Sequence, residues 1–515
     1  MKFLLRAALA CALLSLPACT FTPVGPKYVR PDIPAPPFKE QPPPEEGWKV
    51  SAPSDDAHRG NWWEVYSDPQ LNALEEQVLV NNQTIRAAAA NYRSAVAAVQ
   101  LARASLFPTI NGGASLTGTQ QSENRLGGNF KNPGPYADIL PSGSASWEAD
   151  VWGRIRNNIE VNVAGAQASA ADLENALLSV RAQVASYYFQ IQGLDAQKNL
   201  LDTTVTAYQR GLDLTTNRYR EGLVSAVDVA QAETQLDSAR AQSTDTEVLR
   251  AQYEHAIAVL LGKAPSELTI PAKPLTSAKD APRTGDASQQ QLAAQSVLRD
   301  FMMRVPPPTP PGLASELLER RPDIAAAERR VAAANSQIGV ARAAFYPTVM
   351  LAASFGLESS NLGNLLTWPS RFWTVGPTLA QTLWEGGRRR AFNDEAQAAY
   401  EANAANYRQT VLSAFQEVED DVSTLRLLDR EQQEQARAAA GAQRALDLAN
   451  NRYQGGITTY LEVITAQTTA LETQRTAAQL LTRRMSASVD LVKALGGGWN
   501  ATTDLPSPQS LRSSR

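Results

Sequence analysis

Apolar residues recur at alternating steps of four and three through a stretch that contains no proline between Pro141 and Pro265. This period is typical of a helix that packs along a coiled-coil seam, and only Lys198 interrupts it. The pattern predicts one helix from about Gly153 to Arg218, roughly 100 Å long. The seam consists of Leu173, Leu177, Val180, Val184, Tyr187, Ile191, Leu194, Leu201, Val205, Tyr208 and Leu212.

A second proline-free stretch, between Pro377 and Pro506, predicts another long helix with a noisier seam. Each long helix is expected to stop at a glycine turn, Gly222 or Gly456. From that turn a second helix returns, because glycine readily adopts the left-handed conformation that ends a helix. The sequence therefore predicts two long helical hairpins.

A different period precedes each long helix. Apolar and polar residues alternate over 144–151, 349–357 and 374–379, and polar turns are expected within 127–135 and 359–363. Strands of about 10 residues with one apolar face are what a membrane β-barrel requires. Four strands cannot close a barrel, and an open sheet edge cannot persist in lipid. Other copies of the chain must therefore complete the sheet.

The body of the chain is an internal duplication. Residues 101–109 are similar to 340–348 at an offset of 239, and residues 217–222 are similar to 451–456 at an offset of 234. The pairs Gly153-Arg154 and Leu261-Gly262 also recur at the offset of 234. The two offsets differ because the first copy has the longer hairpin loop. Two copies of one strand–strand–helix–turn–helix unit follow from this pattern.

The N-terminus has the features of an export signal. A basic start and a short apolar run lead to Leu16-Pro17-Ala18-Cys19, which resembles a bacterial lipobox. Cleavage before Cys19 would leave that cysteine carrying a diacylglycerol and an N-acyl chain. Thr20 after the cysteine favours sorting to the outer membrane by the same resemblance. The alternative is an ordinary signal peptide with an incidental cysteine.

Composition and charge exclude several classes of function. The 515 residues carry a formal net charge of −4 and no basic stripe, which disfavours a nucleic-acid partner. Two histidines and two cysteines leave little from which to build a metal site, and no cofactor other than the lipid is expected. No phosphate-binding loop, nucleophile elbow or zinc-protease motif occurs, so an enzyme is disfavoured. No apolar run beyond the N-terminus is long enough for a membrane-spanning helix.

These features together resemble the TolC-type outer membrane factors, and within them the OprM/NodT-like efflux lipoproteins. The resemblance extends from about Trp62 to Gly496, and residues 280–311 depart from it. Its sequence blocks are Trp62-Trp63, residues 68–71, 146–154 and 312–328, and Phe345-Tyr346-Pro347.

The resemblance implies a mainly α-helical protein with membrane β-strands. A homotrimer would build a 12-stranded β-barrel continued by a 12-helix periplasmic α-barrel. Its function would be the outer membrane exit duct of an efflux system for drugs or other toxic small molecules. The implied partners are a periplasmic adaptor, an inner-membrane pump and outer membrane lipid.

The expected domain organisation follows from the duplication. It comprises a signal peptide (1–18), a lipid anchor with a proline-rich extended tether (19–60), the first repeat (61–275), a linker (276–311), the second repeat (312–500) and a flexible tail (501–515).

The candidate gate lies just beyond the two glycine turns. Asp228 and Glu462 each follow their turn glycine by six residues, so three chains would bring six carboxylates to one constriction. By resemblance these are the acidic aperture residues, and Tyr453, Arg218 and Arg452 lie where the family makes its closing bonds. Gly222 and Gly456 would mark the adaptor contact. The alternative for each charge is a solvated helix face.

Two other classes of protein compete with the duct. A periplasmic adaptor-like coiled-coil lipoprotein would have one helical hairpin flanked by β-rich modules, whereas this chain predicts two hairpins and few strands. A purely structural coiled-coil lipoprotein is disfavoured by the amphipathic strand pairs.

Overall fold

The structure is a computed structural model that describes residues 22–33, 38–39, 61–120, 135–272, 306, 320–498 and 506–513. The predicted signal peptide, Cys19 and most of the linker 276–311 lie outside the described residues. Most of the first hairpin turn lies outside them as well.

Apart from α1, the two repeats contain the same main elements in the same order, with helices of equal length, which confirms the duplication. The first repeat contains α1 (Pro69–Asn81), α2 (Gln83–Ala104), β1 (Thr109–Thr119), β2 (Tyr136–Ala149), α3 (Arg154–Arg220) and α4 (Ala226–Leu260). The second contains α5 (Pro322–Ala343), β3 (Thr348–Leu357), β4 (Arg371–Ala380), α6 (Arg388–Gln454) and α7 (Tyr460–Ala494). The long helices α3 and α6 both have 67 residues, and the returning helices α4 and α7 both have 35. The sequence predicted both long hairpins correctly.

The four strands form one antiparallel sheet in the order β1-β2-β3-β4. Each repeat contributes a hairpin, and β2 pairs with β3 to join the two hairpins, with Ala149 opposite Val349. Among the described strands, β1 and β4 each have one partner, so both outer edges of the sheet are unpaired.

The helices continue the order of the strands. Next to the sheet, α3 packs between α2 and α5, and α5 packs against α6, so α2 and α6 lie at the two ends of the row. Away from the sheet, α3 packs against α4 and α7, and α7 packs against α6. A core that includes Trp63, Tyr188, Ile191 and Ile257 joins α3, α4 and α7 to α1. None of the described helices is long and apolar enough to cross a membrane.

The described part of the predicted tether packs against the body. Residues 22–33 lie along the helices as a strap. The backbone N–H of Val24 donates to the carbonyl of Trp152 over 2.9 Å, and the Tyr28 hydroxyl donates to Glu328. The strap therefore binds both repeats, because its polar backbone and side chains find partners on each of them.

The C-terminus also differs from the prediction. The tail 501–515 was expected to be flexible, yet Pro508–Ser513 form a short helix, α8, against α2 and α3. Leu511 is buried among Val99, Ile155 and Ile159, and its burial accounts for the order of this segment.

Candidate functional site

The sheet has one apolar and one polar face across all four strands. Residues directly opposite one another lie on the same face, and the pairing register makes two neighbouring cross-strand rows. One row is Ile110, Ala145, Ala353 and Val375, and the next is Asn111, Ser144, Ser354 and Thr374. Such a sheet can face lipid on one side and a polar lumen on the other.

The two turns at the far end of the long helices have the same backbone geometry. Gly222 and Gly456 have φ values of +73° and +70°, a conformation that favours glycine. The backbone N–H of Leu223 donates to the carbonyl of Arg218. In the second turn the N–H of Ile457 donates to the carbonyl of Arg452. This is a Schellman motif, which satisfies the last carbonyls of each long helix. The predicted turn role of both glycines is confirmed.

Arg218 connects the two repeats at this end, which we call the tip. Its guanidinium donates hydrogen bonds of 3.1 Å to the carbonyl oxygens of Tyr453 and Gln454. Tyr453 is buried, its hydroxyl lies 3.5 Å from Thr215 Oγ1, and its ring packs 5.3 Å from that of Tyr460. Burial raises the pKa of Tyr460 to about 12, so its hydroxyl stays protonated near pH 7. The structure therefore brings two of the predicted gate residues, Arg218 and Tyr453, into direct contact.

The two predicted aperture carboxylates have different surroundings. Asp228 closes a capping box at the start of α4, where its carboxylate accepts from the backbone N–H and the hydroxyl of Ser225 at 2.9 Å. At the start of α7 the N-cap Thr459 makes no such bond, and Glu462 lies 3.6 Å from Arg452. Asp228 thus has a structural role that the pattern Ser225-x-x-Asp228 already signals. Near the tip Glu462 is exposed to solvent, whereas Asp228 is half-buried.

Four exposed apolar side chains at the tip were missed from the sequence. They form two equivalent pairs, with relative exposures of 57–72%: Leu223 with Val227, and Ile457 with Leu461. Their position in the sequence could have revealed them. Each pair directly follows a turn glycine at the end of a long helix, where a surface that only meets water would carry charged residues.

A groove of about 630 Å³ lies between α6 and α7 close to the tip. It is lined by Ala442, Ala445, Leu448, Ala449, Arg452, Leu461, Glu462, Thr465, Ala466 and Thr469. Arg452 and Glu462, the remaining predicted gate residues, therefore lie on the wall of an open and mostly apolar groove.

Comparison with known families identifies this arrangement. The family described as "Outer membrane efflux protein" matches residues 74–263 and 313–497, which is most of both repeats. The chain belongs to the outer membrane efflux protein family.

Individual relatives match over nearly the whole chain. The pyoverdine export outer membrane protein OpmQ of Pseudomonas aeruginosa is 32% identical over 87% of this chain and 89% of its own length. The toluene efflux pump outer membrane protein TtgC of Pseudomonas putida is 31% identical over 87% of each chain. The cation efflux system protein CusC of Escherichia coli is 29% identical over 95% of this chain and 98% of its own.

Solved structures of outer membrane efflux proteins share the fold. The channel OprN superimposes with a TM-score of 0.80, at 28% identity, over 92% of this chain and 99% of its own. CusC gives a TM-score of 0.76, at 27% identity, over 92% and 99%. The protein is thus a mostly helical, TolC-like outer membrane efflux channel that extends into the periplasm. This family consists of channels rather than enzymes. Membership in it excludes the alternative that the chain is a periplasmic adaptor-like lipoprotein.

Proposed function

We propose that three copies of this outer membrane efflux protein form one continuous exit duct. The observation that carries the proposal is the pair of unpaired edges. Strand β1 leads from the edge helix α2, and strand β4 leads into the edge helix α6. Unpaired backbone groups are too costly in lipid, so both edges require a partner.

The width of the barrel makes three the smallest number of copies that leaves an open lumen. Two copies would give eight strands, and a barrel of about eight strands is only wide enough to be filled by its own side chains. Three copies give twelve strands, and the polar row that includes Asn111 and Ser144 would then line an open lumen. Three copies also give twelve helices in cross-section, so the wall continues below the membrane.

The internal duplication predicts the register in which β4 of one copy pairs with β1 of the next. Inside the chain Ala149 pairs with Val349, and the offsets of 234 and 239 carry this pair onto Leu383 and Ile110. Leu383 is 90% exposed and Ile110 is 75% exposed in the single chain. We expect residues 381–383 to extend β4 along β1 of the next copy and to cover both side chains.

The proposed lipid anchor fits the position of the strap. Residue 22, three positions after Cys19, begins the described strap, and Pro23 lies against Gly153 at the junction of β2 and α3. A lipid on Cys19 would therefore enter the bilayer beside the barrel, with the rest of the chain running away from it along the helices.

The tip is the proposed docking surface for a periplasmic adaptor. Exposed apolar pairs beside Gly222 and Gly456 give each copy two sites for the apolar end of a partner. The duct contains no motif for using nucleotide energy, so the adaptor would connect it to an inner-membrane pump that supplies the energy.

The proposed cargo is small molecules, including drugs and other toxic compounds. The names of OpmQ, TtgC and CusC refer to pyoverdine, toluene and cations, so channels of this family serve chemically unlike cargo. A polar lumen suits such a range, because selection would then rest with the pump.

The native mass of the detergent-extracted full-length protein, together with its conductance in planar bilayers, tests the proposal. Three chains per particle and discrete ion-conducting channels are expected. A particle that stays monomeric in mild detergent and does not conduct would overturn it, since four strands cannot close around a lumen.

A further inference from the structure

The groove beside Arg452 has a counterpart in the first repeat, and that counterpart is filled. The 234-residue offset relates Ala449 to Thr215, Arg452 to Arg218, and Ala466 to Ala232. In the first repeat these positions surround the ring of Tyr453. Arg218 lies over that ring, Thr215 lies near its hydroxyl, and Ala232 belongs to the same buried cluster.

The residue equivalent to Tyr453 is Tyr219, and the two have opposite environments. Tyr453 is 6% exposed, whereas Tyr219 is 47% exposed, although both precede identical turns at the end of 67-residue helices. The single chain therefore contains one filled and one open groove. Of the two equivalent tyrosines, Tyr453 lies in a groove and Tyr219 does not.

We propose that Tyr219 of a neighbouring copy fills the groove beside Arg452 and holds the tip closed between copies. The proposal rests on the proposed trimer. In a closed ring of three chains the first and second repeats alternate. Each repeat then meets the next in a similar way, so the contact between repeats inside one chain is the template for the contact between chains. Arg452 would then lie over the ring of Tyr219 and donate to the carbonyls of Tyr219 and Arg220, as Arg218 does at Tyr453 and Gln454.

The contact between copies has fewer interactions than its template. Tyr460, whose ring packs beside Tyr453, is replaced at the equivalent position by Ala226. Thr215, which lies 3.5 Å from the Tyr453 hydroxyl, is replaced by Ala449. Each copy therefore keeps its internal Arg218–Tyr453 contact more firmly than its contact with the next copy. The tip is therefore expected to open first along the three seams between chains.

A photo-crosslink in the full-length, lipidated protein tests the placement. Tyr219→p-benzoylphenylalanine keeps an aromatic group at this position and, on illumination, reacts with nearby C–H bonds. Covalent dimers and trimers are expected, with the crosslinked peptides drawn from residues 442–469 of another chain. The matched control is Arg220→p-benzoylphenylalanine, which points about 100° away around the same helix and should give several-fold less of this product.

Conductance tests the closing role. Tyr219→Ala and Arg452→Ala should each raise the resting single-channel conductance several-fold. The double variant should show less than the product of the two single effects, because Arg452→Ala already removes the ring contact that Tyr219→Ala removes. Tyr219→Phe should behave as the wild type, since Ala449 offers the hydroxyl no partner.

The outcomes separate this inference from the trimer itself. A trimer whose residue-219 crosslinks map outside the groove, or an additive double variant, would overturn the placement of Tyr219 and leave the trimeric duct standing. A monomeric wild-type particle would instead overturn the trimer on which the inference rests.

Discussion

The guanidinium carbon of Arg218 lies 4.6 Å from the centre of the Tyr453 ring. The two residues come from different repeats, so this contact fixes the two helical hairpins of one chain against each other at the tip. It combines a cation–π interaction with two hydrogen bonds from a charged donor, and both kinds of interaction gain strength where water is partly excluded.

Removing this guanidinium should loosen the tip within each chain. Arg218→Ala loses hydrogen bonds from a charged group, a change that typically costs about 2 kcal/mol. We expect a lower thermal midpoint by circular dichroism and a higher resting conductance. Arg218→Lys should recover part of both, because it restores the charge but not the two-pronged donor geometry. Arg210→Ala, at an exposed position on the same helix, should change neither.

The tip carboxylates should set the ion preference of the channel. The pair Asp228→Asn with Glu462→Gln removes up to six negative charges from a trimer and keeps the shape of the side chains. The asparagine can still accept from Ser225, so the capping box need not be lost. The ratio of cation to anion permeability, from reversal potentials in a salt gradient, should fall. Glu434→Gln, far along α6, is the control, and an unchanged ratio in the double variant would remove both residues from the aperture.

The register of the proposed ring makes a prediction at the two edge helices. Helix α2 carries three arginines and no acidic residue, and within the described chain neither Arg93 nor Glu401 of α6 makes an ion pair. Inside the chain, Ala171 of α3 packs against Ala325 of α5. The two offsets carry that contact onto Ala405 of α6 and Arg86 of the next copy's α2. The same register places Glu401 about 4.5 Å from the level of Arg93 along the helix axis.

Charge reversal tests this pairing. Arg93→Glu should place like charges together and lower the detergent concentration or temperature at which the trimer dissociates. Arg93→Glu combined with Glu401→Arg should restore it, by an amount below about 1 kcal/mol for each pair. The measured quantity is the trimer fraction by native mass. If the double variant is no more stable than Arg93→Glu alone, the register is wrong.

Asp421 should make stability depend on pH. Burial between α6 and α7 raises its pKa to about 7, and Asp490, Glu417 and Asp420 add to the shift while Lys493 opposes it. A carboxyl whose pKa is higher in the folded state favours folding when protonated. Its contribution is therefore fully present below about pH 4 and is lost as the pH rises through about 7.

We expect the wild-type thermal midpoint to fall between pH 5 and pH 8. Asp421→Asn should flatten this dependence and raise the midpoint at pH 8. The exposed residue Asp447 supplies the control variant Asp447→Asn, for which the wild-type pH profile should persist.

The regular parts of the molecule were predictable because their signals are local. A seam of one period from Leu173 to Leu212 defines α3, and the repeated glycine turns define where α3 and α6 end. The offsets then predicted the equal lengths of the helices. The turn geometry at Gly222 and Gly456 followed from the same local patterns.

The missed features depend on partners that are distant in the sequence. Nothing near Leu511 indicates that it will be buried against Val99, and nothing near Tyr28 points to Glu328. At the tip, Tyr219 and Tyr453 occupy the same position of the repeat and differ only through what surrounds them. Sequence periodicity cannot distinguish the two tyrosines. Their different exposure arises because the second repeat has the first repeat of its own chain beside it, whereas the partner of Tyr219 would belong to another chain.

The strap has a consequence for biogenesis. The ribosome makes Tyr28 and Arg30 first, but their partners Glu328 and Tyr407 are synthesised about 300 and 377 residues later. The strap therefore has no complete binding site until both repeats have left the ribosome and crossed the inner membrane. An acylated N-terminus would stay connected to the body by an unbound segment during transit. That segment would bind the body only once the second repeat has folded.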